Sequence, residues 1–374
     1  MGMVGGGPAA FIGDVHRMAA ALDGQIELVC GAFSSDPEKS KEKGHSLFLP
    51  NERIYASFQE MIQTEAELPE DIRMDFVAIV TPNHLHFEPA KLAIQYGFDV
   101  VSDKPLCHNL TEAEELANLV ESSDRIFCLT HNYTGYPMTR QARAMIKNGE
   151  LGSIRKVVVE YPQGWLSTLL EAEGQKQADW RTNPAKAGKA GSMGDIGTHA
   201  ENLASYITGL EIEELSADLS TFVTGRKLDD DGSVLLRFKG GAKGLLFASQ
   251  ICVGEENNLK IRVYGEKASL EWQQQEPNSL RILYPDKPSE TLRTGHAYLH
   301  PEAKSATRLP SGHPEGYIEA FANIYRDFAF ACQQRNSSEE FIQNFPGIRE
   351  GLQGMKFIEA VVKSSSMNAS WVKP

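Results

Sequence analysis

A chain of 374 residues exceeds the size at which one hydrophobic core stops growing, so two domains are expected. Its 50 acidic residues outnumber 37 basic ones; the formal net charge of -13, with no sustained basic tract, excludes a general nucleic-acid surface but leaves small anionic ligands open. Five cysteines stand far apart without a CxxC pair, no apolar run approaches the roughly 18 residues that cross a bilayer, and no basic signal-peptide head opens the chain, so reduced thiols, no membrane contact and a cytoplasmic location are expected.

The chain opens on a short apolar strand, then Gly5-Gly6-Gly7-Pro8-Ala9-Ala10-Phe11-Ile12-Gly13, then a run of helical periodicity over residues 16–22. Strand, glycine turn and helix N-terminus together form the geometry that binds a pyrophosphate. Gly5 would make the tight turn, Gly7 would admit the phosphates, and Gly13 would let helix and strand pack closely. The usual third glycine position, residue 10, is alanine, so the fingerprint reads as lengthened by three residues; a surface turn that binds nothing fits the same residues. Further strands are predicted over residues 26–33, 74–80, 98–101 and 126–129, with crossover helices over 57–62, 85–96 and 113–120. That alternation implies a parallel, helix-covered sheet. A helix over 138–146 leads into a strand over 154–161. Beyond it, strands over 234–238, 244–250, 259–264 and 269–272 follow one another without intervening helices, and helices over 315–332 and 350–361 end the chain. The fold expected is α/β: an N-terminal Rossmann-like dinucleotide-binding domain, residues 1–134, and a C-terminal α+β substrate and oligomerisation domain on a largely antiparallel sheet, residues 135–374. The last helices are candidates to pack back on the first domain.

The glycine turn, Thr81-Pro82-Asn83-His84-Leu85-His86, Asp103-Lys104-Pro105 and Gly194-Asp195-Ile196-Gly197-Thr198-His199 occur in an order and spacing that resembles the Gfo/Idh/MocA oxidoreductase family, which includes inositol, glucose-fructose and other sugar dehydrogenases. The likeness spans nearly the whole chain. It implies a nicotinamide-dependent enzyme that oxidises a hydroxyl of a small polyhydroxylated substrate, a sugar or cyclitol, by hydride transfer. Two departures stand out: Asp103 occupies a place that more often carries Glu, and the glycine turn is extended. The first strand is also short at its beginning, which leaves room for an upstream segment.

The resemblance gives Lys104 the role of hydrogen-bonding the reacting oxygen and stabilising its charge, beside a cis Lys104-Pro105 bond. Asp195 and His199, four apart, would share a helix face; His199 is the preferred general base, and Asp195 would orient it and hold substrate hydroxyls. An N-cap Asp195 and a core His199 are the alternative. Pro82 and Asn83 would lie beside the nicotinamide ribose, with a helix cap as the second reading of Asn83. Tyr133, Arg181 and His313 are candidate substrate contacts, each with an ordinary structural alternative. No metal is expected: among His84, His86, His131 and His199 only the first pair is local, and Lys104 would repel a cation. At the end of the second strand, Ser34 and Lys39 suit the 2'-phosphate of NADP, whereas Asp36 suits the ribose of NAD; the cofactor is therefore NAD(P), tilted toward NADP. Two other functions remain open: a lyase or transferase that oxidises its substrate transiently and recycles the cofactor, and a non-catalytic nucleotide-binding regulator. Apolar residues of the second sheet, including Leu235 and Leu245, and the habit of the family predict a homodimer or homotetramer.

Overall fold

A computed structural model describes residues 1–8, 10–335 and 343–374. Two compact units divide the chain: Met1–His131 with Phe321–Leu352, and Asn132–Ala320 with Gln353–Pro374.

The first unit runs β1 (Gly2–Gly5), α1 (Phe11–Ala21), β2 (Cys30–Ala32), α2 (Pro37–Ser46), α3 (Phe58–Glu67), β3 (Phe76–Val80), α4 (Phe87–Gln95), β4 (Asp99–Ser102), α5 (Leu110–Glu121) and β5 (Phe127–Leu129). The five strands form one parallel sheet in the order β2-β1-β3-β4-β5. Its central strand β3 is Phe-Val-Ala-Ile-Val and buried throughout, the continuous apolar run of a strand covered on both faces. Helix starts are set locally: Ser57 accepts from the Glu60 N–H at the head of α3, and Asn109 does the same for Glu112 at α5. The strand predicted over 26–33 shortens to three residues because its ladder with β1 runs only from Gly2 and Cys30 to Val4 and Ala32. Helix α2 escaped the sequence reading because PEKSKEKGHS buries only Ser40 and Gly44 and so carries no apolar stripe. The strand order reverses between β2-β1 and β3-β4-β5, and ligands of open parallel sheets bind beyond the carboxyl ends at such a switch.

The second unit holds α6 (Pro137–Lys147), β6 (Ile154–Pro162), α7 (Lys176–Arg181), α8 (Pro184–Ala187), α9 (Thr198–Thr208), β7 (Ile212–Ser220), β8 (Asp231–Phe238), β9 (Lys243–Ser249), β10 (Lys260–Gly265), β11 (Ser269–Gln273), β12 (Ser279–Leu283), β13 (Glu290–Arg293) and α10 (Pro301–Ser305). Its eight strands follow the order β13-β12-β11-β10-β6-β9-β8-β7, antiparallel except for β6 and β9. Helices α6 and α9 pack on the sheet, and strand alternation follows: Val234, Leu236 and Phe238 of β8 are buried while Leu235 stands exposed. Helix α11 (Tyr317–Gln334) passes from the second unit into the first, and α12 (Ile348–Ser366) returns. Phe321 and Tyr325 of α11 pack edge-on to His16, and Phe328 packs edge-on to Phe76, all within the first unit. Among the described residues no helix is long and apolar enough to cross a membrane.

Candidate active site

In the first unit, three segments leave the carboxyl ends of neighbouring strands: the glycine turn after β1, Thr81–His86 after β3, and Asp103-Lys104-Pro105 after β4. Gly5 and Gly6 have φ of +90° and +71°, a region that L side chains rarely adopt. Gly13 lies in the first turn of α1, and a Cβ there would sit 2.5 Å from the Gly6 Cα, so glycine at 13 is what lets helix and turn touch. A Cβ on Gly7 would lie 2.7 Å from the Phe33 carbonyl oxygen, so Gly7 is also required by the end of β2. Ala9 of this turn lies outside the described residues. Ala10 supplies no side-chain cap to α1. The first-turn N–H groups and the positive end of the helix dipole are thus suited to an anionic group, which is what a dinucleotide pyrophosphate requires.

After β2, Asp36 caps α2, accepting from the Glu38 and Lys39 N–H groups; the Lys39 bond does most to hold its carboxyl below the usual range. Lys39 Nζ lies 3.4 Å from Asp36, and the Ser34 hydroxyl accepts from the Asp36 N–H at 3.1 Å. Asp36 therefore contacts both Ser34 and Lys39, the other two residues expected to bear on NAD against NADP.

After β3, Pro82 leads into a short 3-10 turn, Asn83–Leu85. Asn83 is buried; the N-cap positions of that turn and of α4 are Pro82 and His86, and neither makes a side-chain cap bond. The Lys104-Pro105 bond is cis, as the resemblance implied. Asp103 accepts from the Lys104 N–H at 2.8 Å and from the Thr130 hydroxyl at 3.2 Å, which ties the backbone leading into Lys104 to the segment after β5. His131, fully buried, has its pKa driven down to about 3, first by desolvation and then by the Lys104 cation.

In the second unit, a π-helical turn, Met193–Gly197, runs straight into α9 and carries Asp195 and His199. Asp195 does not cap α9, whose N-cap is Gly197. The start of this helical segment is held from outside by Asp229, which accepts from the Gly191 N–H at 2.6 Å, the Ser192 hydroxyl at 2.9 Å and the Met193 N–H at 2.8 Å. His199 is buried, edge-on to the Tyr133 ring at 4.9 Å and tilted against Tyr161 at 6.2 Å.

Around Asp195 the side chains join into one hydrogen-bonded array. Its Oδ2 accepts from Arg181 Nε at 3.2 Å and from Gln250 Nε2 at 3.0 Å. Gln250 also donates to Gln163, which receives the Trp165 indole N–H at 3.0 Å and donates to Asn257 at 2.6 Å. Tyr161 donates to the same Asn257 oxygen at 2.6 Å, and its hydroxyl meets that of Tyr133. Arg181 closes the other end, its guanidinium 4.1 Å from the Trp180 ring centroid. Tyr133 and Arg181 thus join the array, whereas His313 stands exposed in a turn with its ring against the Pro310 carbonyl oxygen. Gln163, Gln250, Asn257, Tyr161, Trp165 and Asp229 were not singled out from the sequence. The parallel pairing of β6 and β9 sets Pro162 opposite Ser249 and so brings Gln163 and Gln250 out of the sheet side by side. Among the described residues no group of three or more His, Cys, Asp or Glu is placed to hold a metal ion.

Residues 1–131 match the model of an oxidoreductase family with an NAD-binding Rossmann fold, and residues 139–271 match the GFO/IDH/MocA C-terminal domain. An oxidoreductase from Sinorhizobium meliloti is 47% identical, with a TM-score of 0.90 over all of this chain and 98% of that one. An inositol dehydrogenase homologue from Azotobacter vinelandii complexed with NAD+ is 36% identical, with a TM-score of 0.95 over 100% of this chain and 96% of that one. A further structure from Azotobacter vinelandii, complexed with NADH and myo-inositol, is 35% identical, with a TM-score of 0.91 over 100% of this chain and 97% of that one. Levoglucosan dehydrogenase of Pseudarthrobacter phenanthrenivorans is 25% identical over 100% of this chain and 97% of its own length. With both family domains in order and likeness along its full length, the chain belongs to the Gfo/Idh/MocA oxidoreductase family and is an NAD(P)-dependent dehydrogenase.

Proposed function

We propose that the protein oxidises a secondary or anomeric hydroxyl of a cyclitol or sugar, with NAD(H) as its cofactor. The observation that carries the substrate class is the array around Asp195: a carboxylate, a guanidinium, three amides and two phenols linked by hydrogen bonds, with one indole bonded to Gln163 and another beside Arg181. Such groups read several hydroxyls at fixed positions, and the indoles offer apolar faces to the C–H side of a ring. The relatives complexed with myo-inositol and named for levoglucosan support the same class.

The uncapped start of α1, with Gly5, Gly7 and Gly13, would hold the pyrophosphate, and Pro82 and Asn83 the nicotinamide ribose. A nicotinamide held there would supply the acceptor for the hydride that leaves the carbinol carbon. Lys104 Nζ would donate to the reacting oxygen and stabilise its growing negative charge. His199 would take the hydroxyl proton, its ring held by Tyr133 and Tyr161. Asp195 and Arg181 would grip neighbouring hydroxyls. NAD(H) is favoured over NADP because the Asp36 carboxylate would repel a 2'-phosphate and Lys39 is already beside that carboxylate. The exposed sheet face, with Leu235 paired to Leu245, would be covered by a second copy of the chain. A monomer at micromolar concentration by light scattering would reject that assembly.

The test is a panel of cyclitols, free sugars and glycosides assayed with both cofactors. Net formation of reduced cofactor with a cyclitol or sugar is expected. Product formed without net reduction would assign the chemistry to a lyase or transferase, and cofactor binding without turnover on any polyol would reject the substrate class.

A further inference from the structure

We propose that His86 is a positioning residue that sets the direction of Lys104. The side chain is 1% exposed, and the residue is the N-cap of α4 without a side-chain cap bond. Its Nδ1 lies 2.8 Å from the Pro105 carbonyl oxygen and its Nε2 lies 2.8 Å from the Thr81 carbonyl oxygen. These two oxygens belong to the segments that leave β3 and β4, strands paired as far as Ile79 and Ser102. One rigid ring therefore spans the chain on which Asn83 begins and the chain on which Lys104 sits. Carbonyl oxygens only accept and a neutral imidazole carries one N–H, so the Pro105 tie is the hydrogen bond of the Nδ1–H tautomer and the Thr81 tie that of the Nε2–H tautomer. Lys104 is tied on both sides: Asp103 accepts its own N–H at 2.8 Å, and His86 takes the carbonyl of the residue after it. A side chain whose backbone is fixed at both neighbours can aim a long flexible stem; remove one tie and the ammonium has a wider arc. An ångström of misplacement at a reacting centre costs about 100-fold in rate.

The inference rests on the reading of Lys104 as the group that polarises the reacting hydroxyl, and a double-mutant cycle separates the two. His86→Gln places an amide N–H near the Nε2 position and keeps the Thr81 tie alone, whereas His86→Asn places one near Nδ1 and keeps the Pro105 tie. Expected for H86Q is a fall in kcat of about 10-fold or more with unchanged NAD(H) affinity, and for H86N a kcat within about threefold of the parent. In a Lys104→Met background the H86Q change should cost less than about twofold, because the group it aims is gone. A Lys104→Met enzyme within about threefold of the parent rejects the Lys104 reading, and the inference with it. A damaging Lys104→Met with an additive H86Q effect, or an H86N as impaired as H86Q, overturns the positioning role alone. If H86Q does not fold, the H86N comparison decides: a kcat loss beyond about threefold rejects the inference.

Discussion

In the first unit the part proposed for the cofactor pyrophosphate is made of backbone: two glycines at positive φ and a helix start without a side-chain cap. In the second unit the parts proposed for substrate are side chains drawn from separate elements: Tyr161 and Gln163 at the end of β6, Arg181 from α7, Asp195 from the π turn, Gln250 beyond β9 and Asn257 from the loop before β10. A backbone site depends on local conformation and tolerates change in any side chain that does not disturb it. A side-chain array depends on every member, since each amide is oriented by the next. On the proposed reading the same molecule would recognise an invariant ligand part with its main chain and a variable one with its side chains.

The largest expected effect tests the side-chain half. His199→Ala should slow single-turnover hydride transfer by about 100-fold to 10,000-fold, the usual worth of general-base catalysis, while NAD(H) affinity stays nearly unchanged. Part of the loss should return at higher pH, where hydroxide or a more ionised substrate replaces the base. Lys104→Ala should damage the rate across a broader pH range because it removes charge stabilisation as well as orientation. A loss below about threefold for His199→Ala would return His199 to the status of a core residue. A collapse of cofactor affinity would instead show that the two halves are not separable.

This division also explains what could be read from the sequence. Gly5, Gly7 and Gly13 announce themselves because few residues other than glycine fit their backbone or their neighbours, and the β3 run Phe-Val-Ala-Ile-Val has no other stable place than a covered sheet. Lys104-Pro105 is recognised from two adjacent residues. Gln163 and Asn257, by contrast, meet across 94 positions, and Gln250 reaches Asp195 across 55. An isolated glutamine has no periodicity, no special φ and no spacing that marks it, so only the strand order could reveal that β6 and β9 run parallel and bring two of them together. Asp229 was hidden for the same reason: its carboxylate caps a helical segment that begins 36 to 38 residues earlier.

Acidification should sharpen the contrast. His16 and His131, both fully buried in the first unit, have pKa values lowered from 6.5 to about 4 and about 3, by desolvation in each case. The unfolded chain binds protons at these sites below pH 6.5 while the folded chain does not, so their full contribution is present above about pH 6.5 and is lost as pH falls toward 4. At pH 5 each histidine should lower folding stability by about 2 kcal/mol relative to neutral pH. In the second unit Asp229 acts in the opposite sense, because burial pushes its carboxyl up and acid relieves a desolvated charge. Hydrogen exchange at pH 7.5 and pH 5 should therefore show protection lost first in β1, β3 and α1. Equal loss in both units would contradict the assignment of these histidines as buried and neutral.

Gly13→Val tests the backbone half with a smaller effect. Its Cβ would fall 2.5 Å from the Gly6 Cα and 3.4 Å from the Gly6 carbonyl carbon, so α1 must move away from the turn. Overpacking of this kind typically costs about 1–3 kcal/mol. Because the displaced helix start is the proposed pyrophosphate site, NAD(H) affinity should weaken by a similar amount, about 5-fold to 150-fold, with little change in the rate at saturating cofactor. Fluorescence titration of NADH measures the first and single-turnover kinetics the second. Unchanged affinity in a folded Gly13→Val protein would mean that the turn does not hold the cofactor.

The smallest expected effect belongs to the side chains at the edge of that backbone site. Lys39 is well exposed and paired with Asp36 at 3.4 Å, so the pair adds little to stability. On the proposed reading its consequence is for cofactor choice, because a cation beside the adenosine ribose would partly offset the repulsion that Asp36 would present to a 2'-phosphate. Lys39→Ala should weaken NADP binding by about threefold to 10-fold and leave NAD within about twofold, the scale of a screened surface interaction. Asp36→Ser should move the ratio the other way, improving NADP, but it also removes the side-chain cap that α2 takes from Asp36 unless the serine hydroxyl replaces it. Measuring both variants with both cofactors at low and at physiological salt separates the charge effect, which salt weakens, from the capping effect, which salt leaves alone. Equal changes for NAD and NADP in Lys39→Ala would show that this lysine takes no part in reading the 2' position, and the choice of cofactor would then rest on Asp36 and Ser34.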